Sequence, residues 1–368
     1  MMNRMIFANL VHRPVRSLVS IIAIALEVTL ILLIVGLSLG ILNDVRQRQA
    51  GIGADVIVMP PGSSFIFGLT GAPMSIKVGN ILSKLSHVVA VAPVVTQVST
   101  AGAIEVIAGI DLSSYEKLSG PFRYLAGGPF QGPNDVLVDN LFADSKNIHV
   151  GDNIEILNHD FRVAGIVEQG KGARKFVQLP VLQDLIGAQG KASIFYLKLD
   201  NPGNANLVVD EIKRVPGMEK YVASSMAYYL SMMTTSNYPG LSSFIDVVII
   251  ISVIIGFIVI FQAMYAAVME RTREIGILKS MGASKLYIVN AILRETILLA
   301  CGGIALGIAV SFLARAGITQ KLPLLRVMIT GGWIARAIGI AIVGAILGAL
   351  YPAYKAAQKD PIDALAYE

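Results

Sequence analysis

The chain has 368 residues, of which 54% are apolar and only 15% charged, against usual shares of about 45–50% and about 25%. That balance excludes a disordered chain, a basic nucleic-acid-binding protein and an ordinary soluble enzyme, and it points to a membrane protein carrying a soluble part. The net charge of +5 is mild for this length and suits basic loops at lipid headgroups better than a polyanionic partner.

The first 16 residues form a basic, acid-free arm carrying Arg4, Arg13 and Arg16. The apolar run over 17–42 exceeds the roughly 20 helical residues that cross a bilayer. A signal peptide competes with this reading. The run is longer than an h-region of about 7–15 residues and no small-residue cleavage site follows it, so it reads as a retained span with its N-terminus in the cytosol.

Residues 43–243 differ in character. The β-branched stretches Asp55–Met59, Val88–Val98, Ala103–Ala108, Asn153–Leu157 and Phe161–Val167 predict strands, with a hairpin turn at Asn158, His159 and Asp160. Helices are predicted over Val78–Leu85, Val181–Ile186 and Asn206–Arg214. The core of this domain covers about 50–225. Asn43–Gln49 and Ser225–Ser236 read as polar extensions of the adjoining spans.

Three further apolar runs follow, over 244–269, 286–314 and 334–354. A basic connection over 270–285 separates the first two and a short extracytoplasmic loop over 315–333 the last two, before a cytosolic tail over 355–368. The fold class is therefore a membrane protein of four transmembrane α-helices, with a large α+β extracytoplasmic domain inserted between helices 1 and 2. The arm, Arg271, Arg273, Lys279 and Lys285, and Lys355 and Lys359 favour cytosolic termini; Arg315, Lys321 and Arg326 weigh on the other side.

Catalytic signatures are missing from the sequence. It has no G-x-x-x-x-G-K-[ST] phosphate loop, no G-x-S-x-G and no H-E-x-x-H. His12, His87, His149 and His159 lie far apart, and Cys301 is the sole cysteine. No catalytic or metal-ligating residue is assigned, and no cofactor is assigned to this chain.

Four groups of residues stand out. Between Glu270 and Lys285, Ile275, Leu278 and Met281 recur at helical spacing with Ile277 near the same stripe. Arg271, Arg273, Glu274 and Lys279 project elsewhere, and Gly282 ends the helix. Such a helix lies on headgroups or meets a partner; Glu270 and Glu274 favour the partner, since acids gain nothing from anionic lipid. In the first span Ser20, Glu27 and Ser38 share one face. A carboxyl at that depth costs at least about 2.5 kcal/mol, so Glu27 is either a substrate or proton site between copies or a packing residue. Arg294 and Glu295 snorkel or brace the 270–285 helix. Gly303 with Gly307, and Gly344 with Gly348, are G-x-x-x-G pairs for close helix packing. Finally, Met226, Met232 and Met233 with Tyr228, Tyr229 and Tyr238 read as a packed stalk or an apolar anchor, with haem ligation as the rival reading.

The segment Glu270–Ile288 resembles the short cytosolic helix of MacB/FtsX-type ABC transporter permeases. The tail from Tyr351 to Leu365, the arm from Asn9 to Ser17, and Val150–Ile156 with Phe161–Val167 are similar to that family's ending, start and extracytoplasmic strands. Gly53–Phe65 looks most like the subgroup with DevC-type and haem-exporter permeases. The resemblance implies two copies of the chain, each with a separate ABC ATPase subunit that holds ATP and Mg, a coupling helix formed by 270–285 with Gly276 and Ala283 among its residues, and a bacterial inner-membrane location. A periplasmic adaptor is a further implied partner; nucleic acid is not.

Three classes of function follow. One is an exporter permease for a hydrophobic or amphipathic substrate, with haem, lipid, peptide and drug as candidates. Another is a non-transporting relay that controls an extracytoplasmic enzyme or sensor. The third, an intramembrane enzyme, lacks paired carboxylates or a Ser–His arrangement in the spans. The topology predicts that a cysteine placed at Asn134 reacts with an impermeant thiol reagent added outside, and one at Ser284 does not. The reverse labelling pattern would overturn the arrangement.

Overall fold

The computed structural model describes residues 14–63, 72–99 and 105–359. The arm before Pro14, the tail beyond 359 and the opening of the strand expected at 103–108 lie outside them. Packing divides the chain into a helical unit, built from residues up to 40, 240–321 and 327 onward, and a domain built from 41–239 with 322–326.

Helix α1 spans Pro14–Ala50 without a break. Its residues from Ile41 onward belong to the domain, whose elements follow in order: β1 (Val56–Met59), β2 (Met74–Ser75), α2 (Val78–Leu82), β3 (Val88–Ser99), β4 (Glu105–Ile110), α3 (Leu112–Ser119), β5 (Tyr124–Gly127), β6 (Asp135–Asp139), α4 (Asn140–Lys146), β7 (Asn153–Ile156), β8 (His159–Val167), β9 (Lys175–Gln178), α5 (Leu179–Leu185), β10 (Lys191–Ala192), β11 (Ile194–Leu199), α6 (Ala205–Arg214), β12 (Val222–Ser225) and α7 (Met226–Ser231). The large sheet runs β12-β1-β11-β3-β4-β9-β6-β8-β5, with β7 paired to β8. It is mixed: β4 with β9 and β6 with β8 are parallel, the other pairs antiparallel. The interior strands β1 and β6 are buried along their whole length, which suits their nearly continuous apolar runs.

Among the described residues, four long helices have the length and apolarity to cross a membrane. After α1 these are α8 (Pro239–Glu270), α10 (Lys285–Lys321) and α11 (Gly331–Gln358), with the short helix α9 (Thr272–Ser280) between α8 and α10.

Several elements differ from the sequence expectation. The hairpin turn sits at Leu157 and Asn158, both with positive φ, and His159 already pairs with Ile156. A tight hairpin demands two left-handed residues, which Asn tolerates and Leu does not favour. The segment 225–236 is not an extension of the second span. Ser225 caps α7 by accepting the Tyr228 N–H, and a 3-10 turn at Thr235–Asn237 precedes Pro239, which starts α8. The third span does not stop at Ala314 but continues to Lys321, because Arg315 and Lys321 are compatible with a helix that leaves the apolar layer. Helices α3 and α4 escaped the apolar-periodicity reading. Their signals are Asp111 and Asp139, whose carboxylates accept the N–H groups of Ser114 and Phe142.

Within the domain, the last turns of α1 are fixed to the sheet by charge. Asp44 accepts from Arg174 at 2.8 Å and from Arg48 at 3.1 Å, and Arg174 also reaches Asp139 at 2.9 Å. Asp139 is 1% exposed. Burial pushes its carboxyl above the ordinary value, against the pull of the Arg174 guanidinium. One guanidinium thus serves an acid on α1 and an acid at the end of β6. Replacing Arg174 with Ala leaves both acids without their shared cation, and the domain is expected to lose about 3 kcal/mol or more. Chemical unfolding followed at the domain checks this. A loss below about 0.5 kcal/mol would show that the pairs do not hold α1 to the sheet.

Candidate functional site

The short helix α9 has an unexpected inner face. Thr272 and Gly276 are buried, Ile275 packs on the apolar core of the helical unit, and Lys279 is half-buried. These residues follow the i, i+3, i+4, i+7 spacing of one helical face. Arg273, Glu274, Ile277 and Met281 point the other way, and Met281 is 77% exposed. The stripe expected from Ile275, Leu278 and Met281 is therefore split. Ile275 and the half-buried Leu278 face inward, while Met281 and Ile277 are presented to the surroundings. Exposed Leu286 and Tyr287 follow closely in the chain.

Both ends of α9 are fastened, each to a different span. At its start the Arg271 guanidinium donates to the Glu295 carboxylate of α10 at 2.9 Å, and both groups are largely buried. Near its end the Lys279 ammonium donates to the carbonyls of Ala357, at 3.0 Å, and Lys359 at the end of α11. Those carbonyls have no further helical partner and carry the negative end of the helix dipole, so a cation there is favoured. Arg271 and Lys279, read from sequence as part of the outward polar face, are instead the two tethers. Glu295 does brace this helix, whereas Arg294 beside it is exposed.

The helix stops sharply. Gly282 has φ +96°, its N–H reaches the Lys279 carbonyl, and the Ala283 N–H reaches that of Leu278. This double bond pattern needs a left-handed residue at Gly282. Ser284 then caps the next helix by accepting the Tyr287 N–H. Glu270 is exposed at the end of α8. A cavity of about 60 Å³ lies among Val268, Arg271, Glu274, Ile275, Ile288 and Glu295. Its size fits a few waters or the tip of one side chain rather than a drug-sized molecule.

The first-span face is placed inside the bundle of this chain's own helices. Ser20, Glu27 and Ser38 are all buried. Ser38 donates to the Ile34 carbonyl one turn back. The Glu27 carboxyl lies against Gly256 of α8 and Gly344 of α11; a Cβ built on Gly256 would strike it, and one on Gly344 would stand 3.9 Å from Oε1. Gly303 and Gly307 press on α1 at Ile24, Ala25 and Val28, and Gly348 presses on α8 at Phe257 and Ile260. The Thr29 hydroxyl donates to the Gly307 carbonyl at 3.1 Å, a bond between α1 and α10. Gly256 was missed in the sequence. It sits one turn after Ser252, and the S-x-x-x-G spacing was the available signal.

The methionine and tyrosine cluster is domain core. Met226, Tyr229 and Met233 pack with Tyr115, Phe176 and Tyr196, while Tyr228 is exposed. Burial pushes the Tyr229 hydroxyl up to about 12.

Comparison with known proteins follows the same division of the chain. The family model of the MacB-like periplasmic core domain matches residues 17–215, more than half of the chain, and that of the FtsX-like permease C-terminal region matches 247–361. The chain belongs to the MacB/FtsX-type family of ABC transporter permeases. An uncharacterized ABC transporter permease of Methanocaldococcus jannaschii is 22% identical, covering 98% of this chain and 96% of that protein. The macrolide export ATP-binding/permease protein MacB of Bdellovibrio bacteriovorus is 26% identical over 98% of this chain. The chain spans 61% of that protein's length. The periplasmic region of MacB from Actinobacillus actinomycetemcomitans aligns with a TM-score of 0.39 at 16% identity, covering 50% of this chain and 94% of that one. As a MacB/FtsX permease the chain is a multi-pass inner-membrane protein, and its mixed-sheet domain is the counterpart of the family's periplasmic core.

The contact between Glu27 and Gly256 is directly testable. Gly256→Ala is expected to cost about 1–3 kcal/mol through overpacking. In a Glu27→Ala background most of that cost should vanish, giving a coupling of at least about 1 kcal/mol in a double-mutant cycle of unfolding in mild detergent. Additive effects would mean that the two positions do not meet.

Proposed function

We propose that this chain is the permease subunit of an ATP-driven exporter, in which α9 receives the motion of a separate ABC ATPase and passes it to the spans. The observation that carries this reading is the double tether. Arg271 binds α9 to α10 through Glu295, and Lys279 binds it to the end of α11. A push on α9 therefore loads two spans together. The outward residues suit a protein partner: Ile277 and Met281 offer apolar surface beside Arg273 and Glu274. A helix serving only as a headgroup raft would turn its apolar residues to lipid and keep acids off its contact face.

Two copies of the chain, each with one ATPase subunit holding ATP and Mg, make the working unit in this proposal. The domain over 41–239 lies outside the cytosol, and α9 and both termini lie inside. Arg326, in the connection between the third and fourth spans, belongs to the domain and donates to Gln169 at 3.0 Å, which supports placing that connection on the domain's side. The exported substrate is hydrophobic or amphipathic, with haem, lipids, peptides and drugs as candidates; the resemblance of Gly53–Phe65 to the DevC-type and haem-exporter subgroup supports keeping haem among them. A periplasmic adaptor completes the assembly where one is present.

The purified chain is expected to show no ATPase activity by itself, and the cognate ATPase to change its rate on assembly with it. Glu274→Arg reverses the charge on the outward face, and Gly282→Pro removes an N–H and demands a φ that proline does not adopt. Both variants should insert normally yet lose export and the permease-dependent change in ATPase rate. Normal export by both would sink the coupling role of α9.

A further inference from the structure

Among the described residues, Glu27 and Glu295 are the buried carboxyls of the helical unit, and their surroundings differ. Glu295 is 4% exposed and has Arg271 at 2.9 Å. Glu27 is 3% exposed, and its Oε1 has no hydrogen-bond partner. It lies on α1 and faces two glycines, Gly256 of α8 and Gly344 of α11. An ionised carboxylate with a buried oxygen left unpaired is too costly to persist, so this group is neutral while the helices stay packed. A single methyl at Gly256 would collide with the carboxyl, so nothing fits between Glu27 and α8 at that glycine.

We propose that Glu27 is a proton-binding site of the permease, loaded while α1, α8 and α11 are closed and released when they part. This rests on the reading of the chain as a permease whose spans move against one another. The step is a simple ionisation: the carboxyl O–H bond breaks, the proton passes to a water molecule entering the opened notch, and the electron pair stays on the carboxylate. A hydrated glutamate has a pKa of about 4.3, so an opened Glu27 gives up its proton at neutral pH. Closing the notch takes one back. Low pH thus favours the closed arrangement and high pH the open one.

Among the described residues, no charged group on the packed helices lies close along its helix to this position. On α8 the charged groups are Asp246 and Glu270, ten or more residues from Gly256, and Ser252 stands one turn away. On α11 they are Arg336 and Lys355, and Arg336 lies over the Trp333 ring. On α10, which meets α1 through Gly303 and Gly307, they are Lys285, Arg294, Glu295, Arg315 and Lys321. On α1 itself Arg16 lies eleven residues before Glu27, and Asp44, Arg46 and Arg48 lie in the domain part. The nearest of these is about 12 Å along its helix from the contact glycine. The buried Ser20 hydroxyl, two turns earlier on α1, also has no partner.

The test is infrared difference spectroscopy on the full chain in lipid nanodiscs, with and without its ATPase. At neutral pH the wild type should show the C=O stretch of a protonated carboxylic acid that Glu27→Gln lacks; Glu27→Asp, as a second variant, should keep the band but shift it. The band should weaken when the complex is held in its ATP-bound state. Thermal unfolding gives a second readout. The native wild type holds a proton that the unfolded chain releases above about pH 4.3, so its stability falls with rising pH by up to tenfold in the unfolding equilibrium per pH unit, while Glu27→Gln stays level. The absence of a Glu27-dependent band, parallel pH profiles for wild type and Glu27→Gln, or a band indifferent to ATP in a complex whose ATPase rate the permease does change, would each overturn the proposal. If the band behaves as expected on lipid-bound permease but no ATPase changes its rate on assembly, the exporter reading falls and the proton site stands.

Discussion

Apolar helices in lipid gain nothing from the hydrophobic effect when they associate, because the tails around them are as apolar as their own side chains. What holds the helical unit is close approach, and α1 is where the approaches converge. Gly303 and Gly307 bring α10 onto it, Gly256 and Gly344 bring α8 and α11 onto Glu27, and the Gly36 carbonyl accepts the Met328 N–H ahead of α11. Hydrogen bonds between helices add little, on average about 0.6 kcal/mol each in membranes. The Thr29–Gly307 bond therefore fixes register more than it adds stability. A methyl added at Gly256, Gly303 or Gly307 would collide with α1, whereas one at Gly344 would make ordinary contact with Glu27.

The same helix continues to Ala50, and its end is fixed in the domain by charge rather than by glycine packing. Asp44 and Arg48 lie beside Arg174, and Arg174 also holds Asp139. Asp139 in turn caps α4. The chemistry matches the medium: charge pairs are affordable where water is near, and small-residue contacts work where it is not. A continuous helix with 37 residues is stiff along its axis.

How much of this was legible in the sequence follows the same divide. The four spans were, because unbroken apolarity over a bilayer's thickness is a one-dimensional signal. The domain's longer strands and the end of α9 at Gly282 were as well. The sheet order was not. Parallel pairing of β4 with β9 joins segments some 70 residues apart, and nothing local encodes it. The glycine pairs of α10 and α11 stood out by spacing, whereas Gly256 has no glycine partner and its role depends on a carboxyl on α1, the preceding span, with the whole domain between them in sequence. On α9 the periodicity placed Ile275, Ile277, Leu278 and Met281 on one stripe, which the structure splits: Ile277 and Met281 are exposed, while Thr272 and Gly276 are buried. Apolar spacing alone does not see a face built from threonine and glycine.

That inversion explains why α9 is so short and so firmly held. An isolated helix of nine residues is far below the length at which helices persist in water. Its inner face contributes little apolar area, since glycine and threonine bury almost none. The helix therefore depends on its ends: a buried ion pair at Arg271, a cation on open carbonyls at Lys279, and a left-handed stop at Gly282. Anchoring at the ends leaves the outward face free of any structural duty, so its residues are chosen by what they meet. It also means that the helix cannot shift on its own. Under the proposed coupling role, a load on α9 therefore enters α10 through Glu295 and the end of α11 through the Ala357 carbonyl.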